Sequence, residues 1–293
     1  MKPAPFKYLA PGSLEEALAA LEQGGLDIKV LAGGQSLVPA MNFRLAQPAV
    51  LLDINRIKEL DYIRSGGASG LRIGALARQR RVELDPLVAR EVPLLAEALP
   101  YVAHPQIRNR GTLGGSLAHA DPAAELPVIA LALEARFKLC SARGERWVAA
   151  EEFFLGLFTT ALEPDELLVE MEVPPWPRAG WAFLEFARRQ GDYALMGVAA
   201  RVELDENSAC RRARLVYLNA GEGPVVAREA SARLENETLS EAAIEAAAAH
   251  AAGREIDPWG NVHAAPDYQR HLARVLTGRA LRLAGERAAA LVK

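Results

Sequence analysis

Apolar residues follow two periods along the first half of this chain. Leu14, Ala17, Leu18 and Leu21 recur at helical spacing behind Ser13, and Ser13 with Glu16 forms a capping-box pattern, so a helix is expected that ends at Gly24 and Gly25. Ile28 to Ala32 is a short apolar run, β-branched at Ile28 and Val30, and reads as a buried strand. It stops at Gly33 and Gly34, and a second helix can begin from Ser36. VLLDI, residues 50–54, is another compact strand. From Leu71 the pattern is mixed: LRIGA predicts a strand, and helical segments between Leu84 and Leu99 are broken at Pro86, Pro93 and Pro100. PAAELPVIALALE predicts a helix, and ARFKL, RWVAA and ELLVEMEVP predict strands.

PPWPRAG, residues 174–180, reads as a linker and marks a domain boundary near residue 177. Beyond it, WAFLEFARR, LMGVAARVEL and RARLVYLNA suit an antiparallel sheet with one covered face. The tail from Glu229 is alanine-rich, with one helix carrying Leu239, Ala242 and Ile244 and a longer one over Tyr268 to Leu283. The fold class expected is α+β, ending in a separate sheet-and-helix domain.

Length, charge and cysteines narrow the function. A chain of 293 residues holds about two domains and is long enough for an enzyme subunit. A net charge of −3 with mixed signs argues against a general nucleic-acid or membrane-surface role. Cys140 and Cys210 lie far apart without C-x-x-C spacing, so an iron–sulfur or zinc cluster would have to sit on another chain. No stretch approaches the roughly 18 apolar residues of a membrane span, and MKPAPFKYLAPGS lacks an apolar leader core, so a cytoplasmic location is expected. Five histidines without metal-ligand spacing imply no metal site, and His104 and His119 read as positioning residues; no catalytic nucleophile or base is assigned.

The candidate chemistry lies in two glycine pairs. Gly33 and Gly34 precede Ser36, and Gly114 and Gly115 lie between Thr112 and Ser116. Glycine lets backbone N–H groups approach a ligand, and a helix start behind it offers unpaired donors and positive charge, which suits phosphate. One such pair reads equally as a turn that binds nothing, and neither the P-loop lysine nor the G-x-G-x-x-G spacing is present. Two of them could face each other across a diphosphate. On that geometry, valine at Gly33 or Gly114 would block the phosphates and leave the chain folded.

AGGQSL, residues 32–37, and QIRNRGTLGGSLAHADPAAELP, residues 106–127, resemble the paired FAD motifs of the flavoprotein subunits of molybdenum hydroxylases, above all the medium subunits of aerobic-type carbon monoxide dehydrogenases. RRQGDYALMGVA, residues 188–199, resembles the start of that family's C-terminal domain. The resemblance implies an FAD-binding region over 1–177, built of two α+β subdomains at about 1–57 and 58–177, and a smaller C-terminal domain over 178–293 with an antiparallel sheet and helices. It implies that Ala32, Gly33, Gly34, Gln35, Ser36 and Leu37 wrap the FAD diphosphate together with Gly111, Thr112, Gly114, Gly115 and Ser116, with Lys29 near the adenine end. Glu125 matches an acidic position on the ribose or ribityl hydroxyls, with Asp121 a neighbouring candidate. Tyr101 and Val102 fall near the isoalloxazine, Leu168 in a strand approaching the cofactor, and Tyr193 resembles a tyrosine that contacts the flavin. Val102 and Leu168 read equally well as plain core. One departure is Glu185, where the family often carries a lysine.

The function implied is electron transfer from an iron–sulfur small subunit, fed by a molybdopterin large subunit, through FAD to an external acceptor, in a dimer of heterotrimers. An alternative complex is a xanthine, aldehyde or aromatic hydroxylase that uses NAD or oxygen. A third reading is an assembly subunit without flavin.

Overall fold

The computed structural model describes residues 2–24, 27–176 and 178–292; Gly25 and the boundary residue Pro177 lie outside them. The first helix, Leu14–Gly24, buries Ala17, Leu18 and Leu21 as the spacing predicts. Its start departs from the capping box by one residue. Ser13 Oγ accepts from the Glu16 N–H at 3.2 Å, but the Glu16 carboxylate accepts from Gly12 N–H at 2.7 Å instead of from Ser13.

Among the described residues three larger sheets organise the chain, beside a two-stranded pair of Phe154–Gly156 with Thr159–Thr160. The first is parallel, with Val50–Asp53 between Lys7–Leu9 and Ile28–Leu31; the short strand Lys7–Leu9 carries no pattern that predicts it. The second is antiparallel in the order Ile63–Ser65, Leu71–Gly74, Leu167–Val173, Arg136–Ser141 and Gly144–Ala149. Helices and turns between Gln79 and Ala132 pack on it around Leu95, Leu113, Val128 and Phe137. Pro86 and Pro93 interrupt the helical stretch, and each also opens the next helix, Pro86–Glu91 and Pro93–Ala98. There the missing N–H costs nothing and the fixed φ is already helical.

The third sheet runs Ala179–Ala187, Ala194–Leu204, Cys210–Leu218 and Val225–Val226, all antiparallel. Its first strand starts within PPWPRAG, so that connection is shorter than the composition suggests. The expectation of one covered face is corrected: both faces are buried. Phe183, Ala199 and Val216, in register, join the core of the second sheet, while Ala182, Ala200 and Leu215, one residue along, join a separate core beneath the C-terminal helices. Alternation separates a sheet's faces only when one is polar, and here both are apolar. Leu239 is corrected too: it precedes the helix Glu241–His250, which begins behind Ser240, whose Oγ accepts from Ala243 N–H at 3.2 Å. The last helix, Pro266–Val292, is longer than Tyr268 to Leu283 at both ends.

Gly180 shows how closely that helix lies on the sheet. A Cβ there would fall onto the carbonyl oxygen of Ala284 and the N–H of Ala288. Gly180→Ala is therefore expected to push the helix off the strand and destabilise the chain by about 1–3 kcal/mol, read as a lower urea midpoint with an unchanged slope. An unchanged midpoint would refute this packing.

Candidate functional site

The strand Ile28–Leu31 delivers the first glycine turn to the second by direct backbone contact. A Cβ at Gly33 would fall onto the carbonyl oxygen of Arg110 and stand 2.8 Å from Gly111 Cα and 3.0 Å from Thr112 N. A Cβ at Gly114 would stand 2.5 Å from Ala75 Cβ and 2.8 Å from Ala75 Cα, and one at Gly111 would meet Gln79. These three glycines serve close packing between protein segments. Valine at Gly33 or Gly114 would therefore disturb the chain itself, and the expectation that such variants stay folded is corrected.

The N–H groups divide unequally between the turns. In the second, Gly114 N–H donates to Ala75 O at 2.9 Å, Gly115 N–H to Thr112 Oγ1 at 3.1 Å and Ser116 N–H to Thr112 O at 3.3 Å. In the first, the N–H groups of Gly33, Gly34, Gln35, Ser36 and Leu37 have no acceptor among the hydrogen bonds of the described residues. Gly34 takes φ +73°, which bends the chain through the left-handed region, and Ser36 leaves the following helix without a side-chain cap. A run of adjacent, unpaired donors is an anion cradle. The first turn thus supplies the donors, and the second supplies the surface against which they are set.

A groove with one acid and two arginines, Arg188 and Arg189, stands on the C-terminal side. Tyr101 and Glu185 line an open groove of about 580 Å³ with Pro100 and the stretch Phe186 to Gln190. Glu185 Oε2 is buried and finds no hydrogen-bond partner. Its cross-strand neighbour is Gly197, where a Cβ would come within 2.6 Å of Leu218 Cδ2 and 3.1 Å of Glu185 Cβ. Burial, reinforced by the charge of Glu125, pushes the Glu185 carboxyl up to about 8. Glu125 is itself pushed up to about 7 by burial and by Asp121. Tyr193 is 68% exposed on the turn before Ala194–Leu204, and local desolvation followed by the charge of Asp121 pushes its phenol up to about 12.

The other expected residues take varied places. Lys29 is exposed on its strand, close enough to His119 that its charge adds to the burial lowering that imidazole. Val102 and Leu168 are buried in the core of the second sheet, and Tyr101 packs edge-on against Phe183 with centroids 5.3 Å apart. The ring of His104 lies against Gly191, which has φ +85° and where a Cβ would come within 2.6 Å of His104 Nδ1; His119 packs on Phe158. Arg188 lies against the ring of His263, 2.9 Å from Nε2, and forms no ion pair with Glu185 among the described residues. Arg108 was not singled out from the sequence. It is 4% exposed, donates to Val102 O at 2.8 Å and pairs with Glu83 at 2.7 Å, fixing the loop before the second turn. Its signal was its place inside QIRNRGTLGG, where an arginine ordinarily reads as surface.

Comparison with known proteins bears on this arrangement. Residues 4–176 match the model of the FAD binding domain in molybdopterin dehydrogenase, and residues 181–284 match that of the CO dehydrogenase flavoprotein C-terminal domain. The chain is 46% identical to the 6-hydroxypseudooxynicotine dehydrogenase complex subunit alpha of Paenarthrobacter nicotinovorans, over 98% of this chain and 97% of that one. It is 39% identical to the carbon monoxide dehydrogenase medium chain of Hydrogenophaga pseudoflava, over 99% and 100%. Among solved structures, carbon monoxide dehydrogenase from the same organism, lacking the Mo-pyranopterin moiety of its molybdenum cofactor, superposes with a TM-score of 0.95 at 40% identity, covering 98% of this chain and 99% of that one.

The buried acid makes a pH prediction. Glu185 loses its proton near the ordinary 4.5 in the unfolded chain and only near 8 in the folded one. Between those values the native state holds a proton that the unfolded state has released, so stability falls as pH rises through the window. Glu185→Gln is expected to flatten that fall in the flavin-free chain, with a urea midpoint above wild type at pH 8 and a smaller difference at pH 5. Parallel midpoint curves for the two proteins would refute it.

Proposed function

The chain belongs to the FAD-binding subunits of the molybdopterin dehydrogenases, and from that premise we propose that it is the electron outlet of a molybdenum hydroxylase complex. The observation that carries the reading is the run of five unpaired N–H groups from Gly33 to Leu37, set on the backbone of Arg110 to Thr112. Donors of this kind suit a diphosphate, so these residues fit FAD. Ala32 to Leu37 would hold its diphosphate against Gly111 to Ser116, with the free hydroxyls of Ser36 and Ser116 at hand and Lys29 toward the adenine. Tyr101, Glu125, Asp121 and Tyr193 would surround the ribityl and flavin end, and Val102 and Leu168 would back it from the core. The chemistry supplied by bound FAD is the conversion of single-electron deliveries into a two-electron release. This chain binds and orients the group, screens it from water and sets the charge around it.

The domain boundary falls at 177/178 on this reading, with subdomains at about 1–57 and 58–177. The change of sheet between Leu167–Val173 and Ala179–Ala187 supports it. Clusters are assigned to an iron–sulfur subunit, since Cys140 and Cys210 are both buried and belong to separate cores. A molybdopterin subunit completes a heterotrimer, paired into a dimer. Among the described residues no helix is long and apolar enough to cross a membrane, which suits a cytoplasmic complex. A second reading changes the substrate to an aromatic compound. It is favoured by 46% identity to the subunit named for 6-hydroxypseudooxynicotine, against 39% for one named for carbon monoxide.

The complex assembled by coexpression with its small and large subunits is expected to show flavin absorption at one FAD per chain. Reduced with carbon monoxide or with 6-hydroxypseudooxynicotine, a flavin-stripped sample should still bleach its clusters while losing electron delivery to a soluble acceptor. Absence of flavin bands in the assembled complex, or undiminished acceptor reduction without flavin, would overturn the reading. The compound that bleaches the clusters decides between the two substrates.

A further inference from the structure

Side chains outside both glycine motifs tie the two turns together. Asn55 follows the strand Val50–Asp53, and Asp53 Oδ1 holds it by accepting from its backbone N–H at 2.9 Å and from Nδ2 at 2.6 Å. Asn55 Nδ2 also donates to the carbonyl of Ala32, where the first turn begins, at 2.8 Å. Asn55 Oδ1 accepts from Arg78 Nη2 at 2.6 Å, and Arg78 Nη1 donates to the carbonyl of Arg110, just before Gly111. That carbonyl is the one onto which a Cβ at position 33 would fall. The backbone of Arg78 forms a bridge with Thr112, through Gln79 N–H to Gly111 O at 2.9 Å and Leu113 N–H to Ala77 O at 3.0 Å. Tyr8 Oη completes the support by donating to Asp53 Oδ2 at 2.5 Å.

We propose that Asn55 and Arg78 are positioning residues for the cofactor, a clamp that fixes the carbonyl ends of both glycine turns and so sets the N–H groups of Gly33 to Leu37 for a diphosphate. The inference rests on the FAD reading above and adds the residues that make the cradle rigid. Five adjacent N–H dipoles repel one another, and a loop carrying them would relax toward water unless both ends were held. The clamp holds them from the carbonyl side, leaving every donor of the cradle free. Asn55 suits the middle of the chain of bonds because its amide donates both ways and accepts once. Aspartate would lose the bonds to Ala32 and Asp53 and set its carboxylate against that of Asp53, keeping only the bond from Arg78, and alanine would lose all three. Supporting bonds of this type keep a binding constellation within the narrow tolerance that affinity requires.

The test uses the full-length chain freed of flavin and titrated with FAD, followed by flavin fluorescence and by amide hydrogen exchange. Asn55→Ala and Asn55→Asp are expected to weaken FAD binding about 10- to 100-fold, in line with losing three and two such bonds. Arg78→Lys, which reaches one partner instead of two, should fall between them and wild type. The double variant Asn55→Ala/Arg78→Lys should cost no more than Asn55→Ala alone, since both act through one connection. With saturating FAD, the amides of Gly33 to Leu37 should be protected in wild type and lose that protection in Asn55→Asp, while those of Ile28–Leu31 stay protected; a general loss of structure would expose both. Wild-type affinity and protection in Asn55→Asp, or additive losses in the double variant, would overturn the clamp alone. A wild-type chain that takes up no FAD, alone or with its partner subunits, would overturn the FAD reading and the clamp together.

Discussion

The contact between Gly33 and the backbone of Arg110 to Thr112 is the constraint on which the site depends. It joins the end of a strand in the first sheet to the turn that opens the helix Leu113–His119, two segments about 80 residues apart in the sequence. Only glycine permits it, because a Cβ would occupy the Arg110 carbonyl. Once it forms, Gly114 packs against Ala75 and Gly111 against Gln79, so the second turn is seated on the sheet below it. The donors of the first turn then have a floor. Among the described residues no acceptor of the second turn takes them, while the second turn's own N–H groups at Gly114, Gly115 and Ser116 go to Ala75 and Thr112.

Much of this was legible in the sequence, though not the division of labour. Two glycine pairs beside hydroxyls announced two turns; the first pair forms one, whereas Gly114 and Gly115 lie in the opening turn of the helix Leu113–His119, behind its N-cap Thr112. Composition does not tell which glycine is there for a ligand and which for a neighbouring backbone, since both uses ask for the absence of Cβ. Gly34, with positive φ, and Gly114, against Ala75, look the same as letters. The distinction needs the partner surface, and that comes from elsewhere in the chain. Asn55 and Arg78 stayed hidden for the same reason: each sits in an ordinary loop or helix start, and only the tertiary fold brings their amide and guanidinium to the carbonyls of Ala32 and Arg110.

The sheet at the C-terminal end gives a second example. Its strands were legible from β-rich apolar runs, but the count of covered faces was not. Phe183 and Ala182 point to opposite cores, and both are apolar, so period-2 alternation carries no contrast. The two-sided burial has a structural consequence. The sheet is a partition, with the second sheet's helices on one side and Pro266–Val292 on the other. Its edge loops therefore stand fixed relative to the FAD region: Asn219 N–H donates to Pro122 O at 2.9 Å, and Gly191 rests on His104. Tyr193 and Glu185 inherit that placement.

Glu185 shows what such placement does to chemistry. A carboxylate on an open strand would stay ionised and keep its oxygens in water. Here one oxygen is buried without a partner, and the charge of another carboxylate, Glu125 on the helix Glu125–Ala132, adds to the effect of burial. Two like charges in a poorly solvated space do not both persist, so a proton stays on one of them through neutral pH. The groove beside Tyr101 is lined by Arg188 and Arg189 as well as by this acid, so a neutral Glu185 leaves the two guanidinium groups without a carboxylate in the lining.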